Sequence, residues 1–284
     1  MPLVNSLDML QKAAAGGYAV GAFNILNEIS ARAVVNVCEE MNAPVILQTS
    51  TATVKQIGIK NLIGFLQSIA DNSPVPVSVH LDHCKDIALA KACIDAGWPS
   101  VMIDASHLPL EQNIANTREI VEYAAGKNIS IEGELGAISG VEDDISVSDS
   151  DAHLASVKDS ITFVNQTGID IFAPAIGTAH GLYKGEPKLS FDRFSEIKNV
   201  VAPPLVVHGG TGLAPDVFRR LVKLGAAKIN ISTALKIAYL DGIKTFLAEN
   251  PNVSNPLLLD DFVQKKIGEM AREHILLFGT NGKI

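Results

Sequence analysis

Histidine is the residue whose placement carries the most chemistry in this chain. There are seven, and His80, His83, His107, His180 and His208 each follow a short β-branched or apolar run, whereas His153 and His274 do not. Neutral imidazole is the commonest zinc ligand, and a catalytic zinc usually takes three protein ligands and leaves one position open. His83, His180 and His208 stand in Asp-His, Thr-Ala-His-Gly and Val-His-Gly-Gly contexts. A single such histidine is more often a hydrogen-bonded packing residue. A metal site therefore requires a fold that gathers the three on one rim.

Carboxylates and glycines accompany these histidines. Glu132 and Glu134 fall on one face of their strand by alternation, and inside a protein their charge needs a metal or a histidine to compensate it. Asp82 adjoins His83, close enough to meet a substrate bound by that ligand. Its competing role is the N-cap of a helix over Asp86–Ala96. Glu142 stands in Gly136–Ser150 with Asp143, Asp144 and Asp149. That stretch has no convincing apolar period and reads as a mobile surface loop, in which Glu142 on its own would be a solvated charge. His180-Gly181 and His208-Gly209-Gly210-Thr211-Gly212 are turns whose N–H groups can converge on an anion. Asn230-Ile231-Ser232-Thr233 leads into a helix starting near Ala234, whose N-terminus suits an anion too.

The elements that must position these groups follow from the hydrophobic pattern. Strand-like runs occur at Tyr18–Phe23, Pro44–Gln48, Val77–Leu81, Ser100–Ile103, Ile129–Gly133, Ile171–Ala175, Leu205–Val207 and Lys228–Ile231. Their spacing is near the ~30 residues of a βαβ unit, and helical segments separate them. Ile29–Met41, Asp86–Ala96 before Gly97, and Leu110–Ala125 before Gly126 are such segments. Another begins at Pro215 and ends before Gly225. Eight strands alternating with helices predict an α/β fold, a single (β/α)₈ TIM barrel over residues 1–284, with an extra C-terminal helix at Leu258–Leu277. An open doubly wound sheet fits less well, because no Gly-rich dinucleotide loop follows Phe23. A barrel also puts chemistry at the carboxyl ends of its strands, which is where the polar residues above collect.

Composition bounds the rest. The 284 residues are 47% hydrophobic and 19% charged, with a net charge of −8. That excludes a disordered chain and disfavours nucleic acid as a partner. Cys38, Cys84 and Cys93 are too few for a disulfide framework and suggest a reducing compartment. No signal peptide is visible and no apolar stretch approaches the ~20 residues of a membrane span, so a cytoplasmic protein without membrane contact is expected.

Eight motifs in order carry a resemblance: AFN (Ala22–Asn24), HLDH (His80–His83), IDASH (Ile103–His107), EGELG (Glu132–Gly136), GVEDD (Gly140–Asp144), GTAHGLYKGEP (Gly177–Pro187), VHGGTG (Val207–Gly212) and KINIST (Lys228–Thr233). The chain resembles the class II, metal-dependent ketose-bisphosphate aldolases, fructose- and tagatose-bisphosphate aldolases among them. The resemblance extends from Tyr18 to the C-terminal FGTNGKI. It implies a lyase of carbohydrate metabolism and glycolysis that reversibly cleaves a ketose 1,6-bisphosphate to dihydroxyacetone phosphate and glyceraldehyde 3-phosphate through a zinc-stabilised enediolate. No Schiff-base lysine is then needed.

Carried over by motif, His83, His180 and His208 would hold Zn²⁺, and Asp104 and Glu134 match positions able to bind it in a second, displaced location. Asp82 would exchange a proton with the C4 hydroxyl, and Glu142 would remove one from dihydroxyacetone phosphate. Gly181, Gly209, Gly210, Thr211, Asn230, Ile231, Ser232 and Thr233 match the phosphate-binding loops, with a monovalent cation (Na⁺ or K⁺) close by. Asn24 and Ser50 resemble residues that contact the enediolate region. The resemblance also implies a homo-oligomer, dimer or tetramer. Where the family commonly has an arginine near its C-terminus for the second phosphate, this chain offers Lys283, a point charge without the bidentate fork. GLYKGEP is closer to fructose-bisphosphate members and STALKIAY (Ser232–Tyr239) to tagatose-bisphosphate members. Two alternatives follow: a non-catalytic sugar-phosphate-binding barrel acting as a partner subunit, and a class II aldolase using a different aldehyde.

Overall fold

The computed structural model describes residues 3–142, 145–148, 153–183 and 185–284. The strands are β1 (Val20–Asn24), β2 (Val45–Ser50), β3 (Val77–Cys84), β4 (Ser100–Ile103), β5 (Ser130–Leu135), β6 (Ser139–Glu142), β7 (Ile145–Val147), β8 (Ile171–Pro174), β9 (Ala179–His180), β10 (Leu205–Val207) and β11 (Ala226–Ile231). Eight of them close into a parallel barrel in the order β1-β11-β10-β8-β5-β4-β3-β2. Each corresponds to one of the eight apolar runs, so the alternating pattern predicted both the strands and their closure.

The helices are α1 (Ser6–Gly16), α2 (Glu28–Glu40), α3 (Thr51–Ile57), α4 (Ile59–Asn72), α5 (Ile87–Ala96), α6 (Leu110–Ala124), α7 (Val157–Thr167), α8 (Phe191–Lys198), α9 (Pro215–Lys223), α10 (Thr233–Glu249) and α11 (Pro256–Phe278). Their ends obey local chemistry. Gly97 closes α5 in the left-handed conformation at φ 102°, and Pro215 opens α9. The N-cap of α5 is Asp86, whose side chain accepts from the Ala88 and Leu89 N–H groups at 2.9 and 3.1 Å. Asp82 is therefore not needed as a cap. α11 is the expected C-terminal helix, and its Ile267, Ala271, Ile275 and Phe278 join the core between strands and helices.

The barrel lumen is layered. At its N-terminal mouth, Met9, Leu10 and Ala13 of α1 pack on Val20, Ala22, Ile46, Ile171, Ala173, Val206 and Ala227. Burying each large side chain in such a plug is worth about 1.5–3 kcal/mol. The Ser6 and Ser78 hydroxyls, 2.8 Å apart, tie the start of α1 to β3. Above this plug the inward positions turn polar.

One expectation is corrected. The segment read as a loop holds β6 and β7, which pair antiparallel, while β6 also pairs parallel with β9 in a separate sheet ordered β7-β6-β9. Gly140 and the carboxylates interrupt the alternation that would have marked these strands, and the partner β9 lies far along the chain. Asp143, Asp144 and Asp149 lie outside the described residues. Cys38, Cys84 and Cys93 are free and buried. Among the described residues no helix is long and apolar enough to cross a membrane.

Candidate active site

The carboxyl ends of the barrel strands bring together the groups that the sequence scatters. On β3, His80 and Asp82 point into the lumen by alternation, and a regular strand would send His83 outward into the helix layer. A register shift against β4 between Leu81 and Cys84 breaks the alternation, and His83 takes the left-handed φ of 47°. That conformation is unfavourable for a residue with a Cβ and persists where the surroundings enforce it. The result is that two consecutive side chains, Asp82 and His83, both serve the site.

His180 reaches the same place by another route. Its short strand β9 is held between β6 and the turn after β10. A Cβ at Gly140 would collide with the His180 carbonyl oxygen, and one at Gly209 with that of Ala179, both glycines having positive φ. These glycines permit the backbone approach that seats His180. Tyr183 locks the arrangement by donating its hydroxyl to the Gly209 carbonyl at 2.8 Å and accepting from the Ala179 N–H at 3.1 Å.

The donor atoms of His83, His180 and His208 lie within 4.8 Å of one another, as do those of His83, Asp104 and Glu134. Two of the imidazoles have one nitrogen anchored by a carboxylate. His83 Nδ1 is 3.0 Å from Asp104 Oδ2, and His208 Nε2 is 2.8 Å from Glu132 Oε1. Their other nitrogens, His83 Nε2 and His208 Nδ1, face each other at 2.7 Å. An outer carboxylate that fixes the ring and its tautomer is the usual support of a metal-ligating histidine.

Burial opposes charge on His83, but Asp82, Asp104 and Glu134 outweigh it and raise His83 well above the ordinary histidine range, so His83 carries the positive charge that a bound cation would replace. Burial, reinforced by His83, drives His180 and His208 well below the ordinary histidine range, into the neutral form that ligates metal. Burial and the neighbouring Asp104 raise Glu134 well above the carboxylate range. Burial opposes charge on Asp82 as well, yet His83, His208, Lys228 and the Asn24 amide hold its pKa below normal. Glu134 Oε2 is buried, has no hydrogen-bond partner among the described residues, and lies 3.5 Å from His208 Nδ1. Three imidazoles and a crowded, unsatisfied carboxylate fit a divalent metal of intermediate softness.

Around this cluster the other expected residues divide. Asn24 donates to Asp82 Oδ2 at 2.7 Å and accepts from Gln48 at 2.8 Å, and Asn230 donates to Asp82 Oδ1 at 3.4 Å. Thr211 Oγ1 accepts from the Ala234 N–H at 3.2 Å, and the Gly210 N–H donates to the Asn230 carbonyl at 3.2 Å. Ser232 precedes α10 without capping it, and its Oγ is buried with no hydrogen-bond partner among the described residues. Thr233 is the first residue of α10, and Gly181 follows His180 with φ 85°. Ile231 is fully buried in the core, which leaves its backbone for the site. Ser50 spends its hydroxyl as the N-cap of α3, accepting from the Thr53 N–H at 3.3 Å. Glu142 closes β6, in register with Ile145.

Lys283 is elsewhere. Its N–H donates to the Asn42 carbonyl just before β2, and with Lys12, Tyr18 and Pro76 it lines a cavity of about 640 Å³ at the N-terminal mouth. It lies at the opposite end of the barrel from His83. A terminal motif read in one dimension carries no signal of which mouth it reaches. Tyr183 and Lys228 were not singled out from the sequence. Alternation along β11 puts Lys228 on the face of Asn230, which is the signal that marks it.

Comparison with known proteins follows the same direction. The family model described as fructose-bisphosphate aldolase class-II matches residues 4–283. A fructose-bisphosphate aldolase of Geobacillus stearothermophilus is 41% identical over 291 residues, covering 100% of this chain and 99% of that protein. The X-ray structure of the YdjI aldolase from Escherichia coli K12 matches with a TM-score of 0.86 at 30% identity, covering 99% of each chain. A fructose-bisphosphate aldolase structure from Campylobacter jejuni, at 19% identity and a TM-score of 0.84 over 100% of this chain and 97% of that one, shares the fold.

Proposed function

The chain belongs to the class II fructose-bisphosphate aldolase family, and from that premise we propose that it reversibly cleaves a ketose 1,6-bisphosphate, fructose or tagatose, into dihydroxyacetone phosphate and glyceraldehyde 3-phosphate. The observation that carries this reading is the convergence of His83, His180 and His208 beside an ionised, doubly held Asp82. Zn²⁺ held by the three histidines, with Asp104 and Glu134 as a second location, supplies a Lewis acid for a carbonyl oxygen when bound.

The chain's own residues move the protons. In the cleavage direction Asp82 takes the proton of the C4 hydroxyl, the C3–C4 bond breaks, and its electrons pass toward the C2 carbonyl. Asn24 and Asn230 keep the Asp82 oxygens aimed for that transfer. Glu142 delivers a proton to C3, and removes it in the condensation direction. Its support is the register that puts Gly140, on the same strand, opposite His180. One phosphate is received by the Gly181, Gly209, Gly210 and Thr211 turns and by Asn230, Ile231, Ser232 and Thr233 at the start of α10, where the buried Ser232 Oγ awaits a partner. Asn230 Oδ1, also without a hydrogen-bond partner among the described residues, suits a monovalent cation beside it. Ser50 holds the loop after β2 in place. A row of exposed apolar residues on α10, Ile237, Leu240 and Leu247, supports a homo-oligomer.

The test is cleavage of fructose and tagatose 1,6-bisphosphates by the purified chain as isolated, after chelation and after Zn²⁺ is restored. Chelation abolishes cleavage and Zn²⁺ recovers it. Activity that survives both chelation and His208→Ala overturns the reading. A chain that binds metal and dihydroxyacetone phosphate but never exchanges its C–H protons with solvent is instead a binding barrel. The distance of Lys283 from the site supports a second reading, in which the aldehyde carries no second phosphate. Condensation rates with phosphorylated and unphosphorylated aldehydes separate the two.

A further inference from the structure

Below the ligand cluster lies an ion pair that the proposed chemistry leaves unused. Lys228 Nζ and Glu132 Oε2 are 2.8 Å apart, with side chains 1% and 0% exposed. They join β11 to β5 across the lumen, since β10 and β8 separate those strands in the barrel wall. The other carboxylate oxygen, Glu132 Oε1, meets His208 Nε2 at 2.8 Å. His80 Nε2 approaches the same carboxylate at 3.5 Å from Oε2, and His80 Nδ1 is fixed by Ser100 Oγ at 2.8 Å. Removing one partner of such a buried pair leaves an uncompensated charge, so each of the two groups holds the other in its ionised form.

We infer that Glu132, clamped by Lys228, is a positioning residue that holds His208 with its proton on Nε2, so that the Nδ1 lone pair faces His83 and His180. The reasoning is one of donors and acceptors. An ionised carboxylate only accepts, so His208 Nε2 must donate to it, and a neutral imidazole then keeps its lone pair on Nδ1. The Lys228 ammonium only donates, so it favours the ionised carboxylate and engages one oxygen, leaving the other for His208. Alternation sets the spacing: Glu132 lies two residues before Glu134, on the same face of β5 but one step deeper. Glu132 belongs to neither donor triad, so its effect on a metal passes through His208. The inference rests on the reading of His208 as a metal ligand.

Two variants separate this role from simple support of the fold. In Glu132→Gln the single carbonyl oxygen is drawn to Lys228, which turns the amide NH₂ toward His208 Nε2. His208 must then accept there and carry its proton on Nδ1, the atom wanted as a ligand. In the double variant Glu132→Gln with Lys228→Met the amide is released and turns its oxygen back to His208. Histidine ¹⁵N NMR of the metal-free chain reads the tautomer, and competition with a chelator reads Zn²⁺ affinity. The wild type shows His208 as the Nε2–H tautomer. Glu132→Gln shifts it to Nδ1–H and weakens Zn²⁺ about 10–100-fold, and the double variant restores Nε2–H and at least part of the affinity.

A wild-type His208 found as Nδ1–H overturns the inference without any variant, which keeps the test decisive if Glu132→Gln does not fold. So does a Glu132→Gln chain with unmoved tautomer and unchanged affinity, or a double variant no better than the single one. A wild-type chain that takes up no Zn²⁺ counts against the metal reading itself, and the metal-free tautomer tells the two failures apart.

Discussion

The two mouths of the barrel use the inward face of one closed sheet for opposite purposes. At the N-terminal mouth Val20, Ile46, Ile171 and Val206 face inward under Leu10 of α1, and the lumen is apolar and closed. Two to four residues further along β1 and β2 the inward positions are Asn24 and Gln48, and β3, β5 and β11 add Asp82, Glu134 and Asn230, with polar atoms of Gln48, Glu134 and Asn230 lacking a hydrogen-bond partner among the described residues. The first mouth buries apolar side chains against one another, as a stable interior does. The second violates several, by burying charge, stranding acceptors and bending His83 into a left-handed backbone. A barrel separates stability from chemistry along its axis, so strain at one end is carried by packing at the other.

Substitutions at the two ends should therefore fail differently. The largest effect is expected from His208→Ala, which removes a ligand and with it a Lewis acid worth several kcal/mol, so cleavage falls about 10⁴-fold or more. Zinc content and cleavage rate check it together. Asp82→Asn leaves the metal in place and lowers kcat about 10³-fold, the scale of general acid–base catalysis. If metal content falls with it, Asp82 is a support of the ligands rather than a proton carrier. At the other mouth Leu10→Ala should cost about 2–5 kcal/mol of stability by opening a cavity, seen as a lower urea midpoint with unchanged slope, while kcat stays within about twofold. A matching loss of kcat would mean that the plug and the site are coupled. Lys283→Ala is the smallest change, within about 0.5 kcal/mol in stability, with KM for a ketose bisphosphate unmoved. A large rise in KM would return Lys283 to substrate binding.

The eight barrel strands were legible because each is short, apolar and spaced at the length of a βαβ unit, and helix ends were legible at Gly97 and Pro215, where local stereochemistry decides. The site was legible to the extent that a barrel directs strand ends to one rim. The rest depends on relations along no single stretch of chain. Inward His83 needs a register shift against β4 that nothing in HLDH spells. Gly209 looks like an anion-binding turn, and its side-chain position is closed by the Ala179 carbonyl, a contact visible only once β9 is docked. Short strands β6 and β7 are hidden by a glycine and by carboxylates. Lys283 illustrates the converse: a residue type suited to phosphate, at the end of a recognisable motif, arrives at the mouth opposite His83.

The bulge in β3 has a consequence for how the site keeps its dimensions. Because Asp82 and His83 are neighbours in the chain, the proposed proton acceptor and the proposed metal ligand are joined by one peptide unit, whose Cα atoms stand about 3.8 Å apart. The other groups of the site come from separate strands and loops, so their spacing is set by strand pairing and packing. The Asp82–His83 backbone spacing is covalent and depends on no loop or strand pairing.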